Sequence, residues 1–137
     1  SVPYEYAHCF NSQCTRSQKC LHHLVAENST SQYPTLRVIN PNCIPVDTAQ
    51  CPYFKSTRKL HMAWGVKRLL DNVPYKDGNA LRNQLIAHFG KTNYYRFYRQ
   101  ERPLLPEDQA YIQQVFRQKG FTNEPQFERY SDEYYYG

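Results

Sequence analysis

Cysteine is the residue type in this chain best suited to binding a metal, and all five cysteines lie within the first 51 residues. Cys9, Cys14 and Cys20 follow one another with C-x4-C-x5-C spacing, and Cys51 is a remote fourth thiol. Three near ligands and one remote ligand are typical of a four-thiolate metal site, which ties a loop to a later turn. The predicted ligands of one metal centre are therefore Cys9, Cys14, Cys20 and Cys51.

The cysteine spacing leaves the metal undecided between zinc and a 4Fe-4S cluster. The tight C-x2-C knuckle of many zinc sites is missing. Iron–sulfur clusters accept irregular spacings, and one ferredoxin pattern ends in Cys-Pro, as at Cys51-Pro52. Cys43 could replace Cys51, and an imidazole could replace a thiolate, the nearby candidates being His8, His22 and His23. Disulfides and inert buried thiols are the alternatives, although the odd number of cysteines argues against full pairing.

The distribution of charge along the chain indicates a phosphate-binding surface in its middle. The formal net charge is +5, but residues 1–54 are neutral, and residues 55–102 carry eleven Lys or Arg against three acids. Residues 103–137 carry three basic residues against six acids. A basic surface releases counterions when it neutralises phosphates, which favours nucleic-acid binding. The alternative is an ordinary solvated basic face.

The spacing of apolar residues beyond Arg58 predicts four helices. Leu60, Ala63 and Trp64 begin the first pattern, Gly90 ends the second helix, and Thr92 is expected to cap the third. Pro106 and the acids after it start the fourth helix, which stops at Gly120. The predicted helices cover residues 59–71, 79–89, 92–100 and 106–119.

The third predicted helix combines aromatic and basic residues at helical spacing. Tyr94, Phe97 and Tyr98 can share one face, while Arg96 and Arg99 point to another. Packing and charge are therefore separable on this helix. The candidate nucleic-acid-binding residues are Lys91, Thr92, Asn93, Arg96, Arg99 and Arg102.

Helices 79–119 resemble a helix-turn-helix domain. Leu85 and Phe89 match the inward positions of its first helix, Gly90 matches the turn, and Thr92 matches the cap of the second helix. The resemblance implies DNA binding with residues 92–100 as the recognition helix. It also implies a homodimer that reads paired half-sites.

Taken whole, the chain resembles an uncharacterised family, a domain of unknown function, of small cysteine-containing proteins from anaerobic gut bacteria. The segments that carry the resemblance are YAHCFN (6–11), CL (20–21), CPYFK (51–55), AWG (63–65) and YYRFYR (94–99). The resemblance implies an anaerobic, cytoplasmic origin, which favours metal over disulfides. It brings no activity with it.

The predicted fold is mainly α, a helix-turn-helix-like helical bundle with an N-terminal, loop-rich, Cys-rich metal-binding lobe. Residues 1–58 form the Cys-rich lobe, residues 59–121 the basic helical region, and residues 122–137 an acidic, Tyr-rich, frayed tail. No run approaches the roughly 18 to 20 apolar residues that cross a bilayer, so no membrane segment is expected.

The predicted function is that of a small, metal-stabilised nucleic-acid-binding protein, DNA-binding and regulatory. A protein-interaction module with a structural four-Cys site, and an iron–sulfur redox sensor, are the alternatives. The sequence has no Gly-rich phosphate loop, no HExxH and no GxSxG, so an enzyme is not expected.

Overall fold

The computed structural model describes residues 2–30 and 32–137. The chain forms two units in this structure. Unit 1 covers the chain up to Arg58 together with Tyr134–Gly137, and unit 2 covers Lys59–Glu133. None of the helices in the described ranges is long and apolar enough to cross a membrane.

Unit 1 has little regular structure and is organised around one short helix, α1 (Leu21–Glu27). Three single 3-10 turns accompany it, at Ser17–Lys19, Pro41–Cys43 and Thr48–Gln50. A helix this short is not stable alone, so packing must hold it. Its residues Leu21 and Val25 lie one turn apart and are buried against Tyr6, with Leu24, Tyr134 and Tyr136 around them.

Unit 2 contains a two-stranded antiparallel sheet and three helices. Strand β1 (Leu60–Trp64) pairs with β2 (Arg129–Glu133), Leu60 opposite Glu133 and Trp64 opposite Arg129. On its other edge, Ala63 exchanges two backbone hydrogen bonds with Leu104, of 3.1 and 2.7 Å. The helices between the strands are α2 (Tyr75–Phe89), α3 (Lys91–Tyr98) and α4 (Pro106–Gln118).

The core of unit 2 is built from the apolar faces of these helices and from the central strand. The buried residues recur at intervals of three or four along each helix, as an amphipathic helix requires. They pack with Ala63 and Leu104, both of which are fully buried. The helical members of this core are Leu81, Leu85, Tyr94, Phe97, Ile112, Val115 and Phe116.

The first predicted helix, residues 59–71, is wrong because Leu60–Trp64 form a strand. Ala63 is bonded on both edges, and both Met62 and Ala63 are buried. A strand with consecutive buried residues does not alternate apolar and polar side chains. Its apolar residues can therefore also fall at the intervals of three or four that predict a helix. Gly65 then has φ +87°, which ends the strand and would interrupt any helix.

The predicted helix-turn-helix-like helical bundle is also wrong, since the fold is mixed α and β. Only Gly90, with φ +87° and ψ +147°, separates α2 from α3, whereas a helix-turn-helix has a turn of about three to four residues. The third helix begins at Lys91, so Thr92 is not its cap. The resemblance therefore supports neither a recognition helix nor a homodimer.

Candidate functional site

The four predicted ligands Cys9, Cys14, Cys20 and Cys51 line one small cavity in unit 1, which we call the thiol cavity. Its volume is about 20 Å³, and its exposed wall is apolar. Cys20 is buried and the other three are half-buried, whereas Cys43 is exposed and does not line the cavity. All five thiols are free. Over residues 2–30 and 32–137, no three His, Cys, Asp or Glu side chains are grouped so as to hold a metal ion.

Arg16 ties the cysteine loop to the turn that carries Cys51. One terminal nitrogen of its guanidinium donates to the Thr48 carbonyl at 3.0 Å and to the Cys51 carbonyl at 3.3 Å. The guanidinium carbon lies 4.1 Å from the centre of the Phe54 ring. The Thr15 backbone N–H also donates to the Thr48 hydroxyl at 3.1 Å. These contacts bring residues more than thirty positions apart to the same wall of the cavity.

Cys20 and Cys9 are positioned by separate backbone hydrogen bonds. Cys20 pairs with Ser56 in an isolated antiparallel bridge, where the Leu21 N–H donates to the Lys55 carbonyl at 2.6 Å. The Cys9 N–H donates to the His22 carbonyl at 3.0 Å. Thus α1 and the segment before β1 each place one thiol.

Two of the histidines that could replace a thiolate, His22 and His23, contact protein oxygen atoms. His23 lines the thiol cavity, but its Nδ1 lies 3.1 Å from the Cys9 carbonyl and its Nε2 lies 3.0 Å from a Glu27 carboxylate oxygen. Both ring nitrogens therefore lie within hydrogen-bond distance of protein oxygen atoms. His22 Nδ1 donates to the Ala7 carbonyl at 2.7 Å.

Tyr6, in the core of unit 1, is a buried phenol beside these thiols. Burial, with smaller contributions from Cys20 and Tyr136, raises the pKa of Tyr6 to about 12. Its hydroxyl has no hydrogen-bond partner among the described residues. The surroundings of Tyr6 therefore disfavour the charged form of its phenol.

In unit 2, α3 buries Tyr94 and Phe97, whereas Tyr98, which the sequence placed on the same face, is 38% exposed. Arg96 and Arg99 are exposed. We call the exposed set Lys91, Thr92, Arg96, Arg99 and Arg102 the α3 basic face. Asn93 is half-buried; its amide nitrogen donates to the Phe89 carbonyl at 3.1 Å and its oxygen accepts from Arg102 at 2.8 Å. Asn93 therefore positions Arg102 and the end of α2.

Neighbouring side chains modify the α3 basic face. Arg99 donates through Nε to both carboxylate oxygens of Glu101, at 3.1 and 2.9 Å. Lys67 lies 5.4 Å from the centre of the Tyr98 ring and adds a further cation. Burial raises the pKa of Tyr94, and the positive charge of Arg82 lowers it in part. The Arg82 guanidinium is therefore another cation near α3.

A family model matches residues 1–136 and so runs through both units. The chain belongs to DUF6078, a family of unknown function. No curated protein and no solved structure matches the chain significantly. The resemblance to a domain of unknown function is thereby confirmed, and the origin in anaerobic gut bacteria stays a prediction.

This DUF6078 chain also has a larger cavity that the sequence did not indicate. It lies in unit 1, has a volume of about 590 Å³, and is lined mainly by aromatic and aliphatic side chains. His8 also lines it, is 6% exposed, and has an Nδ1 atom without a hydrogen-bond partner in the described residues. From the sequence, His8 was only an alternative metal ligand. Its buried position depends on an isolated parallel bridge to Val38, and a contact between residues this far apart leaves no local sequence pattern.

Proposed function

We propose that this protein binds nucleic acid, with duplex DNA as the expected target, through the α3 basic face. The observation that carries the proposal is the division of α3, whose aromatic residues Tyr94 and Phe97 are buried while Arg96 and Arg99 face solvent. Core packing thus accounts for Tyr94 and Phe97 and leaves the two guanidiniums available for phosphates.

The chemistry of the exposed side chains supports phosphate binding. Guanidinium groups are planar, permanently charged and able to bind phosphate with two hydrogen bonds. The Arg99–Glu101 pair is half-exposed on both sides and so contributes little to stability. Arg99 can therefore exchange its carboxylate for a phosphate, and Arg102 is already oriented by Asn93.

The salt dependence of DNA affinity tests this proposal. Fluorescence anisotropy with a labelled duplex should show affinity falling about a hundredfold between roughly 50 and 200 mM salt if four phosphates are contacted, since each contributes about −0.9 to the logarithmic slope. The variants Arg96→Gln and Arg99→Gln should each weaken binding and reduce the slope by about one. Arg117→Gln, an exposed arginine on α4, is the matched control and should bind normally. Affinity that does not respond to salt would contradict the proposal.

A protein partner is the second candidate, favoured by exposed rings on the sheet of unit 2. His61 and Tyr130 stack at 5.1 Å with nearly parallel planes, and Tyr130 is 46% exposed. Aromatic surfaces of this kind are enriched in protein interfaces. A partner complex that survives both Arg96→Glu and Arg99→Glu but is lost with Tyr130→Ala would establish this function instead.

A further inference from the structure

The larger cavity of unit 1, which we call the aromatic cavity, has the size and lining of a small-molecule site. We propose that it binds a phenol, that is, a small uncharged aromatic molecule bearing a hydroxyl group. Its volume of about 590 Å³ lies within the range of about 300–1,000 Å³ that is usual for such sites. Its lining residues all belong to unit 1 and include Tyr4, Tyr33, Tyr134 and Tyr136.

Aromatic and aliphatic side chains form most of the wall of the aromatic cavity. Leu21 and Val25 of α1 line it and are buried. Tyr4 and Tyr33 are 53% and 62% exposed, and their rings meet edge-on with centres 4.5 Å apart, so they lie where the cavity opens to solvent. Aromatic rings attract one another through edge-to-face and offset contacts, in addition to the area that they bury. A flat aromatic ligand is therefore favoured over an aliphatic ligand of the same size.

His8 supplies a polar group that lacks a partner. It lines the aromatic cavity and is 6% exposed, and its Nδ1 atom is buried without a hydrogen-bond partner in the described ranges. The backbone holds the residue in place, because the His8 N–H donates to the Arg37 carbonyl at 2.8 Å and its carbonyl accepts from the Ile39 N–H at 2.9 Å. Rotation about the Cβ–Cγ bond can turn Nδ1 towards the cavity without breaking a hydrogen bond at that atom. A ligand that pairs with Nδ1 removes the cost of leaving a buried polar atom unsatisfied.

The lining of the aromatic cavity favours an uncharged ligand. None of the described residues that line it is Asp, Glu, Lys or Arg. A charged group would lose its hydration in the cavity without gaining a permanently charged partner, and burying an unpaired charge is costly. The aromatic ligand is therefore expected to carry its polar group in a neutral form.

A hydroxyl is the neutral group that best suits His8. A nitrogen of a neutral imidazole either donates or accepts, depending on the tautomer, and the hydrogen bonds of the ring set that tautomer. At His8, no partner of Nδ1 within the described residues sets it. Since a hydroxyl both donates and accepts, it can bond to either tautomer. An aromatic ring with a neutral hydroxyl is a phenol.

Isothermal titration calorimetry of the full chain with three two-ring probes tests the class of ligand. We expect 2-naphthol to bind at one site with a dissociation constant below about 1 mM. Decahydro-2-naphthol, which keeps the hydroxyl but has no aromatic ring, should bind at least about threefold more weakly. 2-Naphthoate, which is anionic at neutral pH, should bind at least about tenfold more weakly. Absence of 2-naphthol binding, or binding of either other probe as tightly as 2-naphthol, would overturn the proposal.

The substitution His8→Phe tests the hydrogen bond, because it keeps a flat ring of similar size but removes the ring nitrogens. It should weaken 2-naphthol binding about three- to tenfold. His88→Phe is the matched control and should bind with wild-type affinity, since His88 is exposed in unit 2 and stacks on Tyr111, a contact that phenylalanine can keep. Equal affinity of His8→Phe and wild type would contradict the proposal.

NMR spectroscopy of the wild-type chain tests the site even if His8→Phe fails to fold. On addition of 2-naphthol, the ¹⁵N resonance of His8 Nδ1 and the methyl resonances of Val25 should shift, whereas those of Leu85, in the core of unit 2, should not. Binding that leaves the His8 and Val25 resonances unchanged would place the ligand elsewhere and overturn the proposal. Arg96→Gln should bind 2-naphthol as wild type does, so a failure of DNA binding and a failure of phenol binding are distinguishable.

Discussion

At the scale of single residues, the ionisation of Tyr6 is expected to lower the stability of unit 1 at alkaline pH. Its pKa is raised to about 12 in the folded protein, whereas an unfolded tyrosine ionises near pH 10. The unfolded state therefore loses its proton first, so the stabilisation is complete below about pH 10 and is lost as pH rises towards 12. Comparing urea unfolding of wild type and Tyr6→Phe at pH 9 and 11 should show a larger alkaline loss in wild type.

The same substitution has an expected effect at neutral pH. Because the buried Tyr6 hydroxyl has no hydrogen-bond partner in the described ranges, Tyr6→Phe removes an unsatisfied polar group. Its free energy of unfolding should stay equal to that of wild type or rise by about 1 kcal/mol. A loss of 2 kcal/mol or more, as expected for a hydroxyl that makes a good buried bond, would contradict this account.

Residue types and spacing predicted part of the candidate sites. The four cysteines chosen from their spacing line one cavity, and Tyr94 and Phe97 of α3 are buried while Arg96 is exposed, but Tyr98 is exposed as well. The nucleic-acid-binding role stays a proposal, and the metal-binding role stays a prediction. The roles of Arg16 and Thr48 were not predictable, because both depend on a loop contact between residues 32 positions apart.

At the scale of elements, Gly65 is the position at which β1 must end. Its φ is +87°, and a Cβ atom there would collide with the Glu128 side chain. That carboxylate also accepts a hydrogen bond from Gln100 at 2.8 Å, so it cannot move without breaking a contact. Gly65→Ala should lower the free energy of unfolding by about 1–2 kcal/mol from the backbone alone, as measured by urea denaturation.

Gly78 in α2 is the matched control for Gly65. It has nothing within 4 Å of its would-be Cβ atom and lies inside a helix. Gly78→Ala should therefore raise the free energy of unfolding by about 0.5–1 kcal/mol. If both substitutions destabilised the protein equally, the positive φ and the Glu128 contact at Gly65 would not be the cause.

Helices were more predictable than strands because their signals are local. α2, α3 and α4 match the predicted segments 79–89, 92–100 and 106–119 to within a few residues, with Gly90 and Pro106 at their boundaries. β1 depends instead on β2, whose residues follow more than 60 positions later, and on Leu104. The apolar spacing within residues 59–71 cannot reveal these pairings, because the partner residues lie elsewhere in the chain.

At the scale of the whole molecule, unit 1 is built from two distant parts of the chain. Tyr136 packs edge-on against Tyr6 with ring centres 4.9 Å apart, and Tyr134 joins the same cluster around Leu21 and Val25. Stability need not be uniform along a chain, so the backbone amides of each unit can lose their protection from hydrogen exchange separately.

Removing Tyr134–Gly137 should therefore affect unit 1 selectively. Hydrogen exchange measured by mass spectrometry should show faster exchange in α1 and unchanged protection at Ala63 in β1. Val46→Ala, a fully exposed position in unit 1, is the control and should leave both unchanged. Equal loss of protection in both elements would show that the two units unfold together.

The assignment of Tyr134–Gly137 to unit 1 has a consequence for biosynthesis. Ribosomes usually release domains for folding in N-terminal to C-terminal order. Here the aromatic residues that complete the core beside α1 are translated after every residue of unit 2. The cysteine-bearing segment, although synthesised first, must therefore wait for the rest of the chain before it finishes folding, and its thiols are open to oxidation throughout that interval.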